Sequence, residues 1–175
     1  LAPRSTMRET ATARAREFAA AADRPEPGAG IILTPLAREI DDTQIRYETL
    51  RITLDRATGV ANFIIQGPKT LPPADAAGIH AAGAAFWTLD LTRALDDAIL
   101  HLRSNEPKIG TWVFRTEGNS ALVAAYDDLL AAEASNWLVR EITLYLKRTL
   151  KRLDVSSRSL LALIEPGSCF TGCLL

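Results

Sequence analysis

An α/β fold is predicted by three features of the sequence: an alternating pair of runs between residues 50 and 65, long segments of helical period at 90–103 and 137–153, and short apolar, β-rich runs at 109–114 and 160–164 that alternate with the helical ones. Strands separated by helices imply parallel pairing through crossover connections.

The elements follow in order. Thr6-Met7-Arg8-Glu9 fits a capping box, and Met7, Ala11, Ala15, Phe18 and Ala22 fall on one helical stripe behind it. Arg24-Pro25-Glu26-Pro27-Gly28 is read as the stop of that helix, with a polar linker from there to about Thr43. Leu50, Ile52 and Leu54 alternate with Arg51, Thr53 and Asp55, the period of a half-buried strand, and Val60 to Ile65 returns as its hairpin partner. Gly67-Pro68 and Pro72-Pro73 bracket a loop before an alanine-rich stretch at 74–85. From Asp90 onward Leu91, Leu95, Ala98, Ile99 and Leu102 share a helical face. Ile109 to Phe114 is read as an interior strand, followed by a polar loop at 116–120. Leu138, Ile142, Tyr145, Leu146, Thr149 and Leu153 form the apolar stripe of the next helix, and Leu160 to Ile164 is the last apolar strand. Glu165-Pro166-Gly167 breaks that strand ahead of a helix start near Gly172. The strand ends near Gln66, Arg115 and Glu165 would then send their loops to one side, where ligands of such folds bind.

Composition narrows the function classes. The 175 residues suit one ordinary domain, 47% of them are hydrophobic, and 20 basic residues against 21 acidic leave no charge excess to attract nucleic acid or an anionic membrane. No run approaches the length of a membrane span. The N-terminal LAPRSTMRETATARARE carries no apolar signal core, and two cysteines without a signal peptide suit a reducing cytoplasm. Cys169 and Cys173 are four apart and far in sequence from His80 and His101, so no metal site is expected. Leu1 is not an initiator and the chain ends at PGSCFTGCLL without a helix cap; both ends are read as truncations.

Pro166 to Cys173 is the segment richest in chemistry. A glycine-containing turn feeding a helix exposes backbone N–H groups that can hold an oxyanion, or the glycines only permit a tight turn. The segment is neither a phosphate loop nor a nucleophile elbow, because Gly167-Ser168-Cys169 departs from G-x-S-x-G. No base accompanies either cysteine, and both suit packing better than nucleophilic chemistry. Among the carboxylates Glu117, Asp127, Asp128, Glu133 and Glu165, Glu165 stands at a strand end where burial would matter; Glu117 is the second candidate. Trp87, Trp112 and Trp137 are read as core anchors.

Several segments carry a resemblance. Arg93 to Leu100 (RALDDAIL), Gly110 to Gly118 (GTWVFRTEG), Asp154 to Leu160 (DVSSRSL), Ala162 to Phe170 (ALIEPGSCF) and the hairpin from Tyr47 to Pro68 resemble the C-terminal half of the benzoyl-CoA-dihydrodiol lyases, a family of the crotonase superfamily. The likeness runs in order from about Ala13 to Gly172. It implies an incomplete crotonase-like spiral of β-β-α units, in which 1–45 trails from a preceding module and 46–175 is a partial second module. It also implies ring opening of 2,3-epoxybenzoyl-CoA with addition of water and loss of formate. Two backbone N–H groups would polarise the thioester carbonyl, and glutamates would handle protons. CoA would be part of the substrate, with no separate cofactor. The glutamates of that family lie in the N-terminal half, so the missing half becomes an expected partner, alongside an acyl- or aryl-CoA thioester and further copies in a homo-oligomer. Where crotonases carry a glycine-rich loop, Ala124-Ala125-Tyr126-Asp127 stands here; where they carry a second, Thr171-Gly172-Cys173 stands. Tyr126 and Gly172 or Cys173 are thus the nearest positions for oxyanion-type N–H groups.

Overall fold

The computed structural model describes residues 2–22 and 30–175. The helix stop read at Arg24 to Gly28 lies outside those residues. The chain divides into two compact units, Leu1–Gly30 and Ile31–Leu175.

Among the described residues the first unit holds one helix, α1 (Met7–Ala20). Its capping box does not form. Thr6 takes φ −111° and ψ 2°, outside the extended region from which a side chain folds over the first turn, and its hydroxyl turns back to the carbonyl of Pro3 instead. No residue of α1 is buried; Met7 and Phe18, on the stripe read as apolar, are exposed.

The second unit is an α/β layer. Its strands are β1 (Glu39–Ile40), β2 (Gln44–Arg46), β3 (Leu50–Asp55), β4 (Val60–Gln66), β5 (Thr111–Glu117) and β6 (Ser159–Ala162), and they lie in the sheet in that order. The pairs from β1 to β4 are antiparallel, while β4–β5 and β5–β6 are parallel. Part of the segment read as a linker is therefore strand: Asp41 accepts from the N–H groups of Thr43 and Gln44 and turns β1 into β2. These bonds hold the Asp41 carboxyl down at about 2.

Each parallel step is made through helices. From β4 the chain passes through α2 (Ala76–Ala82) and α3 (Trp87–Asn105) to β5; from there α4 (Ser120–Ala132) and α5 (Trp137–Asp154) lead to β6. Side chains cap three of these helices: Asp75 takes the N–H of Gly78, Asn119 that of Ala121, and Asn136 those of Leu138 and Val139. The sequence reading missed α4, although Val123, Tyr126, Leu129 and Leu130 sit on it at helical spacing and are buried.

Alternation sorts the sheet into two faces. Leu50, Ile52, Ala61, Phe63, Ile65 and Trp112 enter one core with the apolar stripes of α3, α4 and α5. Phe63 is its centre, stacked on Phe114 at 4.5 Å between ring centroids and tilted against Trp112 at 5.4 Å. The opposite face carries Arg51, Thr53 and, further along, Asn62 and Arg115, joined by a 2.9 Å hydrogen bond from the guanidinium to the amide oxygen. Trp87 and Trp112 are core residues as expected, but Trp137 opens α5 with 42% of its surface exposed. The last strand also departs from expectation. β6 is the edge of the sheet among the described residues, and all four of its residues are exposed.

Candidate functional site

The three parallel strands end together. The N–H of Gly67, just past β4, donates to the carbonyl of Glu117 at 2.8 Å, and the Gln66 amide donates to the Glu117 carboxylate at 2.8 Å. One strand over, the N–H of Gly118 donates to the Gly167 carbonyl at 3.2 Å. Thr116, 2% exposed, accepts the N–H of Cys169 on its hydroxyl at 2.8 Å. The loops after Gln66, Glu117 and β6 are thereby tied into one cluster, as the strand order implied.

That closeness explains the glycines. Gly118 takes φ +145°, and a Cβ on it would stand 3.1 Å from the Gly67 Cα. The Cys169 thiol fills the space beside this pair and is fully buried, a packing role. Gly172 takes φ +50° and sits against the Asp127 carboxylate, where a Cβ has no room.

The candidate residues are distributed as follows. Glu165 is not buried: it lies beyond the strand, exposed, in an ion pair with Arg115 at 3.1 Å. Its backbone N–H donates to Ser168 Oγ at 2.9 Å, so Ser168 closes a turn. Glu117 is exposed and held by Gln66. Tyr126 lies midway along α4, where a backbone N–H closes onto the carbonyl four residues earlier. The residue is buried and lines a cavity, and burial pushes its phenol up. The N–H of Cys173 donates to Asp127 at 2.8 Å, and Gly172 opens a single 3-10 turn, Gly172–Leu174, in place of the expected helix. Burial, reinforced by the Asp127 carboxylate, pushes the Cys173 thiol well above its ordinary value. His80 stands edge-on to Trp137 at 6.2 Å, and His101 is hydrogen-bonded only to Asn105, its neighbour on α3. Among the described residues no group of His, Cys, Asp and Glu is arranged to hold a metal, and no helix is long and apolar enough to cross a membrane.

Sequence reasoning did not find the cavity beside this cluster. It measures about 340 Å³ and is lined by Thr49, Gln66, Lys69, Trp87, Asp90 and Tyr126, among others. Thr49 donates to Asp90 at 2.8 Å, and the Trp87 indole N–H donates to the Gln66 carbonyl at 3.0 Å. Gly67-Pro68 at a strand end was the signal, but its partners come from the turn before β3, from α3 and from α4, and no spacing in the chain connects them.

The fold and this cluster define an α/β module with a mixed sheet, whose parallel strands end in a tied set of loops beside one cavity. Comparison with known proteins supplies the relative. Benzoyl-CoA-dihydrodiol lyase of Aromatoleum evansii is 45% identical to this chain over 163 residues, which is 93% of this chain and 29% of that protein. The chain is thus homologous over nearly all its length to a part of that enzyme and spans less than a third of the relative it matches, which bears out the resemblance carried by its motifs. No protein-family model matches the chain.

Proposed function

We propose that this chain is a portion of a ring-opening enzyme acting on 2,3-epoxybenzoyl-CoA, in which water adds, a ring C–C bond breaks and formate leaves. The observation that carries this reading is the 45% identity to a benzoyl-CoA-dihydrodiol lyase over 163 residues. Residues 46–175 form a partial second module of a crotonase-like spiral, and 1–45 trail from a module before it. Backbone N–H groups stabilise the thioester enolate in the whole enzyme.

The chain by itself is not catalytically complete. In support, Glu117 and Glu165 are exposed and paired, and the N–H of Cys173 is held by Asp127. A carboxylate already seated on a donor competes with an incoming oxyanion by like-charge repulsion. The chemistry needs a partner half, and the assembly works in the cytoplasm on a CoA thioester, with further copies of itself.

The test is formate release when the chain alone receives 2,3-epoxybenzoyl-CoA. Folded protein is expected to release none above background. Turnover would overturn the incompleteness and make Glu165, Glu117 and the loop from Gly167 to Cys173 the positions to mutate.

A second reading is a module that binds CoA thioesters without catalysis, favoured by the 340 Å³ cavity at the parallel-strand ends. Calorimetric titration of the chain with benzoyl-CoA tests it: saturable binding supports the module, and absence of binding removes it.

A further inference from the structure

We propose, on the reading that this chain takes a CoA thioester in the cavity beside the loop cluster, that Asp90 and Lys69 orient that ligand. Asp90 in the wall accepts an amide N–H of the uncharged arm, and Lys69 at the mouth meets the phosphates.

The cavity is built by residues from Glu48 to Tyr126, and its walls are tied to one another. Helix α3 holds the turn before β3 at two points: Thr49 donates to Asp90 at 2.8 Å, and the Tyr47 phenol donates to Asp97 at 2.7 Å. Asp90 and Asp97 stand about two turns apart on α3, so both carboxylates leave the helix on one side. Arg38 braces Asp97 at 2.9 Å. The Trp87 indole N–H donates to the Gln66 carbonyl at 3.0 Å, and its ring meets Tyr126 edge-on at 5.4 Å. A site held from this many sides is formed before its ligand arrives.

Its charges are arranged by depth. Asp90 is half-buried; one carboxylate oxygen accepts from Thr49, and the other takes no hydrogen bond from the described residues. A carboxylate beside the apolar surface of Trp87, Tyr126 and Pro68 favours an N–H donor and repels a phosphate, because little water screens it there. Lys69 has the opposite setting. Its side chain is 82% exposed and 3.9 Å from Glu48, a surface pair too weak to withhold the ammonium from a phosphate. Size points the same way: about 340 Å³ is at the small end of ligand sites, with room for an acyl group and arm but not for a nucleotide. A CoA thioester carries its amide N–H groups near the acyl end and its phosphates at the far end. Only one direction of entry sets the N–H on Asp90 and the phosphates at Lys69.

Calorimetric titration with benzoyl-CoA and with the benzoyl thioester of N-acetylcysteamine, which keeps one amide and has no phosphate, tests this on the full chain. In Asp90→Asn the amide oxygen still accepts from Thr49, so the wall is retained, while the donor NH2 faces the ligand. Binding of both thioesters is expected to weaken about tenfold. Lys69→Gln, at an exposed position, is expected to weaken benzoyl-CoA a few-fold at low salt and to flatten its salt dependence, leaving the truncated thioester unchanged. Wild-type affinity for both ligands in both variants overturns the assignment and leaves the CoA reading standing. Tighter benzoyl-CoA binding by Asp90→Asn puts the phosphates at Asp90 and overturns the orientation. Binding of neither ligand by the wild-type chain removes the CoA reading, and the assignment with it.

Discussion

Thr116 shows how one side chain organises the loop cluster. Its hydroxyl lies inside the protein at the end of β5 and accepts the N–H of Cys169, a residue with no exposed surface. That N–H has no access to water, so removing its acceptor leaves a buried donor unmet. Thr116→Val keeps the shape and deletes the acceptor, and is expected to cost about 1–3 kcal/mol. Thr116→Ser, which retains the oxygen, is expected to cost less. Urea unfolding of the two variants checks this; a larger loss in Thr116→Ser than in Thr116→Val would mean that the methyl group, and not the hydrogen bond, matters. Nothing in the sequence near Thr116 announces the contact, because its partner is 53 positions away.

At the scale of elements, helix starts divide the legible from the hidden. Asn136 accepts from Leu138 and Val139 at 2.9 and 3.3 Å and fixes the first turn of α5. Asn136→Ala is expected to lower stability by about 1 kcal/mol, and Asn136→Gly by only a few tenths, measured as a shift in urea midpoint at constant slope. An identical midpoint for wild type and Ala would remove the cap from the account. The long stripes of α3 and α5 and the hairpin of β3 and β4 were readable because each carries its own period over enough residues. Helix α4 was readable too, from Asn119 and the spacing of Val123, Tyr126 and Leu130, but the polar residues at 116–120 suggested a loop running further. The supposed capping box of α1 failed for a local reason: the residue types were right and the backbone of Thr6 was not extended.

For the molecule as a whole, partly buried acids that must stay protonated set an alkaline limit. The Cys173 thiol is raised from its ordinary 9.0 and the Tyr47 phenol from 10.0, in both cases chiefly by burial, with Asp127 and Asp97 respectively adding to the shift. The Tyr145 phenol, again chiefly by burial and then by Asp96, is pushed up to about 12. Each group binds its proton more tightly folded than unfolded. Their contribution is therefore fully present below the unfolded values and is lost as pH rises through the folded ones. Stability is expected to be level near pH 7, to fall once the pH passes 9.0, and to fall more steeply beyond 10.0. Cys173→Ala should delay the onset to the tyrosine range. Urea midpoints across this range check the profile, and an onset at the same pH in Cys173→Ala would exclude the thiol as its source.

The sequence by itself determined the α/β class, the long helices, the hairpin and the kinship, because periodicity and quoted motifs are properties of neighbouring residues. Only the tertiary structure decided that Glu165 is an exposed partner of Arg115, that the Cys173 N–H is held by Asp127, and that β6 lies last in the sheet among the described residues. Those facts depend on distances between residues some 50 positions apart, which are set by how strands are ordered in a sheet and which faces the helices cover. No local pattern in the chain encodes that order.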